Sequence, residues 1–300
     1  MPVTFDTLTA HARHERRQMR VAVVCGTDAS TVAAVRRMAA DGGITPIFVG
    51  GLPPDDNALA NAGHIAADDP AGAARAAIAL IRKGHADVLM KGLINTDVLL
   101  HAVLDKQQGL LPQGAVLTHL AVAQLPGSDR LLCFSDAAVL TYPTPAQRRA
   151  QVSAVVTACR ALGAAQPRVA LVHCSEKVSD KFPITHDYRD IVAEAGNGRW
   201  GDCRIDGPLD LRTAIDPAAL RQKGISSSLE GRADGLIFPD IEAANVFYKT
   251  VTYLGARVAG LLCGTSVPVV LPSRGDSAET KADSLLIAAR LAKHLTTTSD

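Results

Sequence analysis

Short runs of β-branched and apolar residues alternate along this chain with Ala-rich segments of helical composition, and that alternation restricts the fold more than any other feature. Val21–Cys25, Pro46–Gly50 and Asp87–Met90 read as strands. Between them, Ala29–Ala40 is opened by Thr27-Asp28 as a cap, and Ala71–Lys83 is stopped by Gly84. Parallel strands need a crossover of about a dozen residues, which such a helix supplies. The pattern continues with a helix at Thr96–Leu104, strands at Ala115–Leu125 and Arg130–Phe134, a helix at Ala146–Leu162 and a strand at Val169–His173. Asp187–Ala195 and Asp210–Gln222 read as helices, Asp234–Phe238 as a strand and Glu242–Leu254 as a helix. Strands at Val258–Leu262 and Val267–Leu271 precede a closing helix at Asp276–Leu295. The class is α/β, with parallel-rich sheets sandwiched by helices. Single cores stop growing near about 250–300 residues, so a chain of 300 residues fits two domains. Pro143-Thr144-Pro145 is the natural boundary; composition leaves open which domain takes the last strand and helix.

The composition excludes several function classes. Apolar residues make up 47% and the formal net charge is +1, from 31 Lys+Arg against 30 Asp+Glu. A disordered chain would combine low hydrophobicity with a large net charge, and a nucleic-acid binder is expected to carry a basic excess. The most membrane-like stretch, Val251–Pro272, is interrupted by Gly255, Arg257, Gly260, Gly264 and Pro268, which suits short buried elements. The first twenty residues hold Asp6, His11, Arg13 and His14 and no apolar h-region. The expectation is a cytoplasmic protein with neither membrane nor nucleic-acid partner. Six scattered cysteines without a CxxC pair read as small buried hydrophobes in a reducing compartment.

Three segments carry chemistry. In Leu271-Pro272-Ser273-Arg274-Gly275-Asp276-Ser277-Ala278-Glu279 a buried strand gives way at once to polar residues before a helix. Ligands of open α/β sheets bind beyond the carboxyl ends of strands, where helix N-termini present free N–H groups to anions. Ser273 offers a hydroxyl and Arg274 a fork suited to phosphate or carboxylate; a capping loop with a solvated arginine is the alternative. In Phe238-Pro239-Asp240-Ile241-Glu242 another strand runs into acidic residues, explained equally by metal binding or by capping. Asn245 and Lys249 follow, four apart on one helical face. In Met90-Lys91-Gly92-Leu93-Ile94-Asn95-Thr96, Lys91 suits a phosphate, and Asn95 or Thr96 suits a cap. No Walker sequence and no G-x-G-x-x-G after Val21–Cys25 is present. His119 and His173, in apolar strands, read as satisfied core histidines.

These segments, with Ser135-Asp136 ahead of Pro143, Gly224-Ile225, Tyr248-Lys249 and their order along the chain, resemble the phosphate acyltransferases, the family of phosphate acetyltransferase and phosphate butyryltransferase. The resemblance runs from about Val21 to the last helix. It implies a two-domain fold like that of isopropylmalate and isocitrate dehydrogenases, with an interdomain cleft. Residues 1–145 plus 260–300 would form one domain and 146–259 the other. It implies a homodimer and the reaction acyl-CoA + phosphate ⇌ acyl phosphate + CoA, with no metal and no cofactor, since coenzyme A and phosphate are substrates. Arg274 would bind phosphate, Ser273 would hydrogen-bond at the reacting carbonyl, and Lys91, Asn95, Thr96, Asp240, Asn245 and Lys249 would contact phosphate or CoA.

One departure stands out. The aspartate base of the acetyltransferase branch falls here near Thr280, and the nearest carboxylates are Asp276 and Glu279. Glu279 lies about three residues into the helix and can face the strand end, whereas Asp276 can serve as a cap. The Ser-Arg-Gly-Asp-Ser run and the Met-Lys-Gly-Leu segment look nearer the butyryl branch. Two other readings share the fold: a metal- and NAD-dependent dehydrogenase or decarboxylase, and a non-catalytic CoA-binding subunit.

Overall fold

The computed structural model describes residues 3–14, 18–52, 57–273 and 275–297. The chain packs as two compact units, one of residues 1–117 with 257–300 and one of residues 118–256.

In the first unit the strands are β1 (Met19–Val24), β2 (Ile44–Val49), β3 (Gly63–Ile65), β4 (Val88–Lys91), β10 (Arg257–Cys263) and β11 (Val269–Val270), in the order β3-β2-β1-β4-β11-β10. All neighbours run parallel except β10 and β11. The helices α1 (Phe5–Ala12), α2 (Ala29–Ala40), α3 (Pro70–Arg82), α4 (Thr96–Val103) and α10 (Ala278–Thr297) cover it. Val21–Val24 and Val88–Met90 are wholly buried, as continuous apolar runs are when a parallel sheet is covered on both faces. Leu285, Leu286 and Ile287 bury α10 against α2 and β10. Asp69 caps α3, taking the Gly72 N–H at 2.7 Å ahead of Pro70, and Gly84 with φ +71° ends that helix.

The second unit has β5 (Thr118–Gln124), β6 (Leu132–Ser135), β7 (Arg168–Val172), β8 (Arg204–Leu209) and β9 (Gly235–Ile237), in the order β5-β6-β9-β7-β8. Its helices are α5 (Pro145–Ala161), α6 (Ile184–Gly196), α7 (Leu211–Ile215), α8 (Pro217–Gln222) and α9 (Ile241–Tyr253). Phe134 meets Phe247 edge-on at 5.1 Å, and the buried Tyr188 hydroxyl donates to the Val172 carbonyl at 3.1 Å.

Both units are thus α/β with mostly parallel strands. Their division differs from the one set at Pro143–Pro145: residues 118–145 pack in the second unit because β6 pairs with β5 on one side and β9 on the other. Two alternations are hairpins, since the links β5–β6 and β10–β11 are too short for a crossover. The helix expected over Asp210–Gln222 is broken at Asp216, which takes φ −121° and ψ 107° because the following Pro217 disfavours the helical region before it. β8 was not visible in the sequence; it carries Gly207-Pro208 and lies at the sheet edge, where a strand tolerates proline. Cys133, Cys159 and Cys263 are buried, but Cys174 is exposed, contrary to its reading as a core hydrophobe. Among the described residues no helix is long and apolar enough to cross a membrane.

Candidate active site

Strand register decides which loops meet. In the first unit Val24 lies beside Lys91, and Val270 beside Met90, so β1, β4 and β11 end at one edge of the sheet. Cys25–Asp28, Gly92–Asn95 and Leu271–Ser273 leave from that edge together. The loops touch closely: the Gly92 N–H donates to the Val24 carbonyl at 2.8 Å, and the Leu93 N–H to the Cys25 carbonyl at 2.7 Å. A Cβ on Gly92 would stand 2.5 Å from the Cys25 oxygen, so only glycine fits beside that turn.

Lys91 is buried at the end of β4, its Nζ 3.4 Å from the Gly92 carbonyl oxygen. Asn95 is the N-cap of α4 by position but makes no side-chain cap bond, and both it and Thr96 are exposed. Ser273 is exposed, and its N–H donates to Asp276 Oδ2 at 2.8 Å. Asp276 therefore closes the turn, while Ser277 caps α10 by accepting the Thr280 N–H at 3.1 Å. Arg274 lies outside the described residues. Glu279 is exposed and turned to Arg257, 3.7 Å away, which also pairs with Asp6 and with Asp283 at 2.8 Å. Burial raises the pKa of the Asp283 carboxyl, and the Arg257 guanidinium opposes that rise.

Behind this edge lies a polar cluster that the sequence did not reveal. Lys281 is buried in the first turns of α10, and its Nζ donates to Ser30 Oγ (2.8 Å), Thr31 Oγ1 (3.0 Å) and Asp28 Oδ1 (3.1 Å). Those contacts match the three donors of an ammonium group. Asp28 also accepts the Thr31 N–H at 3.0 Å and so caps α2. Burial pushes the Asp28 carboxyl up, but hydrogen bonds from Thr31, Ser30 and Lys281 outweigh it and hold it well below the usual range. A lysine following Thr280 in a helix reads as a solvated residue; only the fold brings α2 against it.

In the second unit β6, β9, β7 and β8 also end at a common edge. Here the polar residues hold backbone. Asp136, buried, takes four donors: Thr118 Oγ1 and the His119 N–H on Oδ2, both at 2.8 Å, and the Ala138 and Val139 N–H groups on Oδ1. Asp240 caps α9 through the Ala243 N–H at 2.9 Å. Among the described residues no group of three or more His, Cys, Asp or Glu is arranged to hold a metal ion. Asn245 donates to the Ala137 carbonyl at 2.9 Å, and Lys249 is exposed with its Nζ 5.2 Å from the centre of the Tyr248 ring. Buried Arg148, which sequence reading passed over, ties the Pro143 and Pro239 carbonyls to Asp187. The edge opens into a cavity of about 710 Å³ walled by Val172, Phe182, Leu211 and Phe238. His173 is satisfied, accepting the Ser175 N–H at 3.1 Å. The His119 ring is not, since its Nδ1 is sealed from solvent without a partner among the described residues.

Residues 62–289 match the family described as phosphate acetyl/butaryl transferase. A phosphate butyryltransferase of Clostridium beijerinckii is 43% identical over 225 residues, covering 75% of this chain and 74% of that protein. The phosphate butyryltransferase of Clostridium acetobutylicum is 35% identical over 92% of this chain and 94% of its own. Among solved structures, a branched-chain phosphotransacylase from Enterococcus faecalis V583 superposes with a TM-score of 0.83 at 29% identity, over 92% of this chain and 99% of that one.

Proposed function

The chain belongs to the phosphate acetyl/butyryl transferase family, and from that premise we propose that it catalyses acyl-CoA + phosphate ⇌ acyl phosphate + CoA on short acyl groups from acetyl to butyryl, leaning to the longer. The finer architecture in this reading is the two-domain isopropylmalate and isocitrate dehydrogenase type. The enzyme works as a cytoplasmic homodimer, and coenzyme A and phosphate are its substrates, with no cofactor.

The single observation that carries the reading is the meeting of Lys91-Gly92 and Ser273 at one strand-end edge, inside the matched span 62–289. An incoming phosphate carries up to two negative charges. The Lys91 ammonium and the Arg274 guanidinium offset them, and a planar fork suits phosphate oxygens better than a point charge does. Phosphate oxygen attacks the thioester carbonyl; the C–O bond forms, negative charge builds on the carbonyl oxygen, and collapse breaks the C–S bond. The Ser273 hydroxyl, exposed at that edge, is the donor at this oxygen. In the other direction the CoA thiol, with a pKa of about 8.5, needs a base at neutral pH. Asp276 fills that role better than Glu279, since it sits in the Ser273 turn while Glu279 is drawn to Arg257.

The dehydrogenase reading loses ground at α2. Its N-terminus, where a dinucleotide pyrophosphate is held in many α/β sheets, is filled by the Asp28 carboxylate and Lys281. Purified protein given butyryl-CoA and phosphate, with a thiol reagent and neither metal nor NAD added, is expected to release CoA. No release from acetyl-, propionyl- or butyryl-CoA sinks the reading and favours the non-catalytic subunit. Arg274→Ala is expected to raise the phosphate KM at least tenfold, about 1.4 kcal/mol or more; an unchanged value removes Arg274 from the site.

A further inference from the structure

Large apolar side chains scattered singly over a surface are ordinary; a contiguous group of them is not. Among the described residues the five most open to solvent are Tyr253 (90% exposed), Leu52, Tyr142 (69%), Val246 (66%) and Leu254. All but Leu52 belong to one place in the second unit. Val246 and Tyr253 lie on α9, and Leu254 is its C-cap. The Tyr142 hydroxyl donates to Glu242 Oε1 at 2.5 Å, in the first turn of the same helix.

Helical spacing orders this face. Glu242, Val246, Lys249 and Tyr253 follow one another at four, three and four residues, which places them in a single stripe along α9. The stripe lies opposite Ala244 and Val251, the side of the helix that is buried. Glu242 and Lys249 are both exposed, and neither has an oppositely charged partner among the described residues.

The pattern is complementary to itself. A two-fold axis that passes beside Val246, at right angles to the helix, sets two copies of α9 antiparallel. Glu242 and Lys249 each lie about 5 Å along the helix from that axis, so Glu242 of either copy meets the partner subunit's Lys249. Val246 packs on the partner subunit's Val246. The same rotation carries Tyr253 just beyond the start of the other α9, where the partner subunit's Tyr142 is held by its hydroxyl. A parallel pairing would set like charges together, which the stripe rejects. A foreign partner would have to bring this order of charged and apolar groups, whereas a second copy already carries it.

We propose that the outward face of α9 is a two-fold interface between copies of this chain, with the helices antiparallel, Val246 at the axis and Glu242 paired with the partner subunit's Lys249 on either side; this rests on the homodimer in the reading above. The aromatic and aliphatic centre supplies the affinity, and the flanking ion pairs fix direction and register.

Sedimentation of the full chain at micromolar concentration is expected to show a dimer. Val246→Lys and Tyr253→Lys, each checked for native circular dichroism, are expected to raise the dimer Kd at least about 100-fold, and Leu52→Lys to leave it unchanged. Lys249→Glu sets carboxylates against one another and should weaken association about tenfold or more. Adding Glu242→Lys to it should recover most of that loss. A dimer indifferent to both lysine variants of α9, equal dissociation by Leu52→Lys, or a charge exchange that recovers nothing overturns the proposal. The charge exchange decides the matter even if a lysine variant misfolds. A wild-type chain that stays monomeric removes the homodimer and this interface together, whatever its CoA release. A dimer that releases no CoA removes the acyltransferase reading and leaves the interface standing.

Discussion

The two strand-end edges draw on the same residue types and use them differently. At the edge of β1, β4 and β11, Ser273, Asn95 and Thr96 stay exposed, and the groups that fix the loops, Lys281 and Asp28, sit behind them. At the edge of β6, β9 and β7, the motif residues themselves are the fixings: Asp136, Asp240 and Asn245 each bind backbone. A motif residue in a strand-end loop therefore has two fates, to meet a ligand or to shape the loop that does. Hydrogen-bond partners, not position, separate the two. Changes at the second edge should act on stability first, and changes at exposed positions of the first should act on turnover.

The largest expected effect is Asp136→Ala. It strands four donors around a buried site, and with about 1–3 kcal/mol for each unsatisfied group the loss reaches about 4 kcal/mol or more. Urea unfolding measures it; a loss below about 1 kcal/mol would erase the contrast between the edges.

Lys281→Met tests the hidden support of the first edge. It leaves Asp28 without its ammonium, at a cost of about 3 kcal/mol. The pH dependence sharpens the assignment. Asp28 has a folded pKa below its unfolded value, so its contribution is complete above about pH 4 and is lost as pH falls toward the folded value. The stability gap between wild type and Lys281→Met should be widest near neutrality and shrink in acid. A gap independent of pH would assign the effect to packing alone.

Glu279→Gln should do least. The carboxylate is exposed and only 3.7 Å from Arg257, so stability should move by less than about 0.5 kcal/mol. Turnover should stay near wild type, while Asp276→Asn lowers it. A kcat collapse in Glu279→Gln would restore Glu279 as the base and place an exposed helix residue in the chemistry.

Much of this frame was legible in the sequence where a single local rule sufficed. Val21–Cys25, Asp87–Met90 and Ala71–Lys83 were each found within two residues of their observed ends, since apolar runs and caps are local signals. β3 and β8 were not: Gly63–Ile65 is three residues long, and Gly207-Pro208 hides a strand whose pairing tolerates proline only at an edge. The loops after Met90 and Leu271 stood out because polar residues follow buried strands directly. The support beneath them did not, because Lys281 meets partners about 250 positions earlier. Asp136 likewise takes two of its four donors from Thr118 and His119, a strand away. His119 misled for the same reason, as an empty nitrogen shell has no signature in the order of letters.

The first unit is assembled from both ends of the chain, residues 1–117 and 257–300. During translation the opening segment emerges from the ribosome with β4 lacking its neighbour β11 and with Asp28 lacking Lys281. The middle stretch is continuous, and its five strands β5 to β9 are all made before the last helix. The N-terminal-first order common in multidomain proteins thus does not hold here, and the half bearing Ser273 matures only after α10 has been made. A premature stop codon between Ala256 and α10 would cost the earliest-made half its closure while every residue of the middle unit is still made.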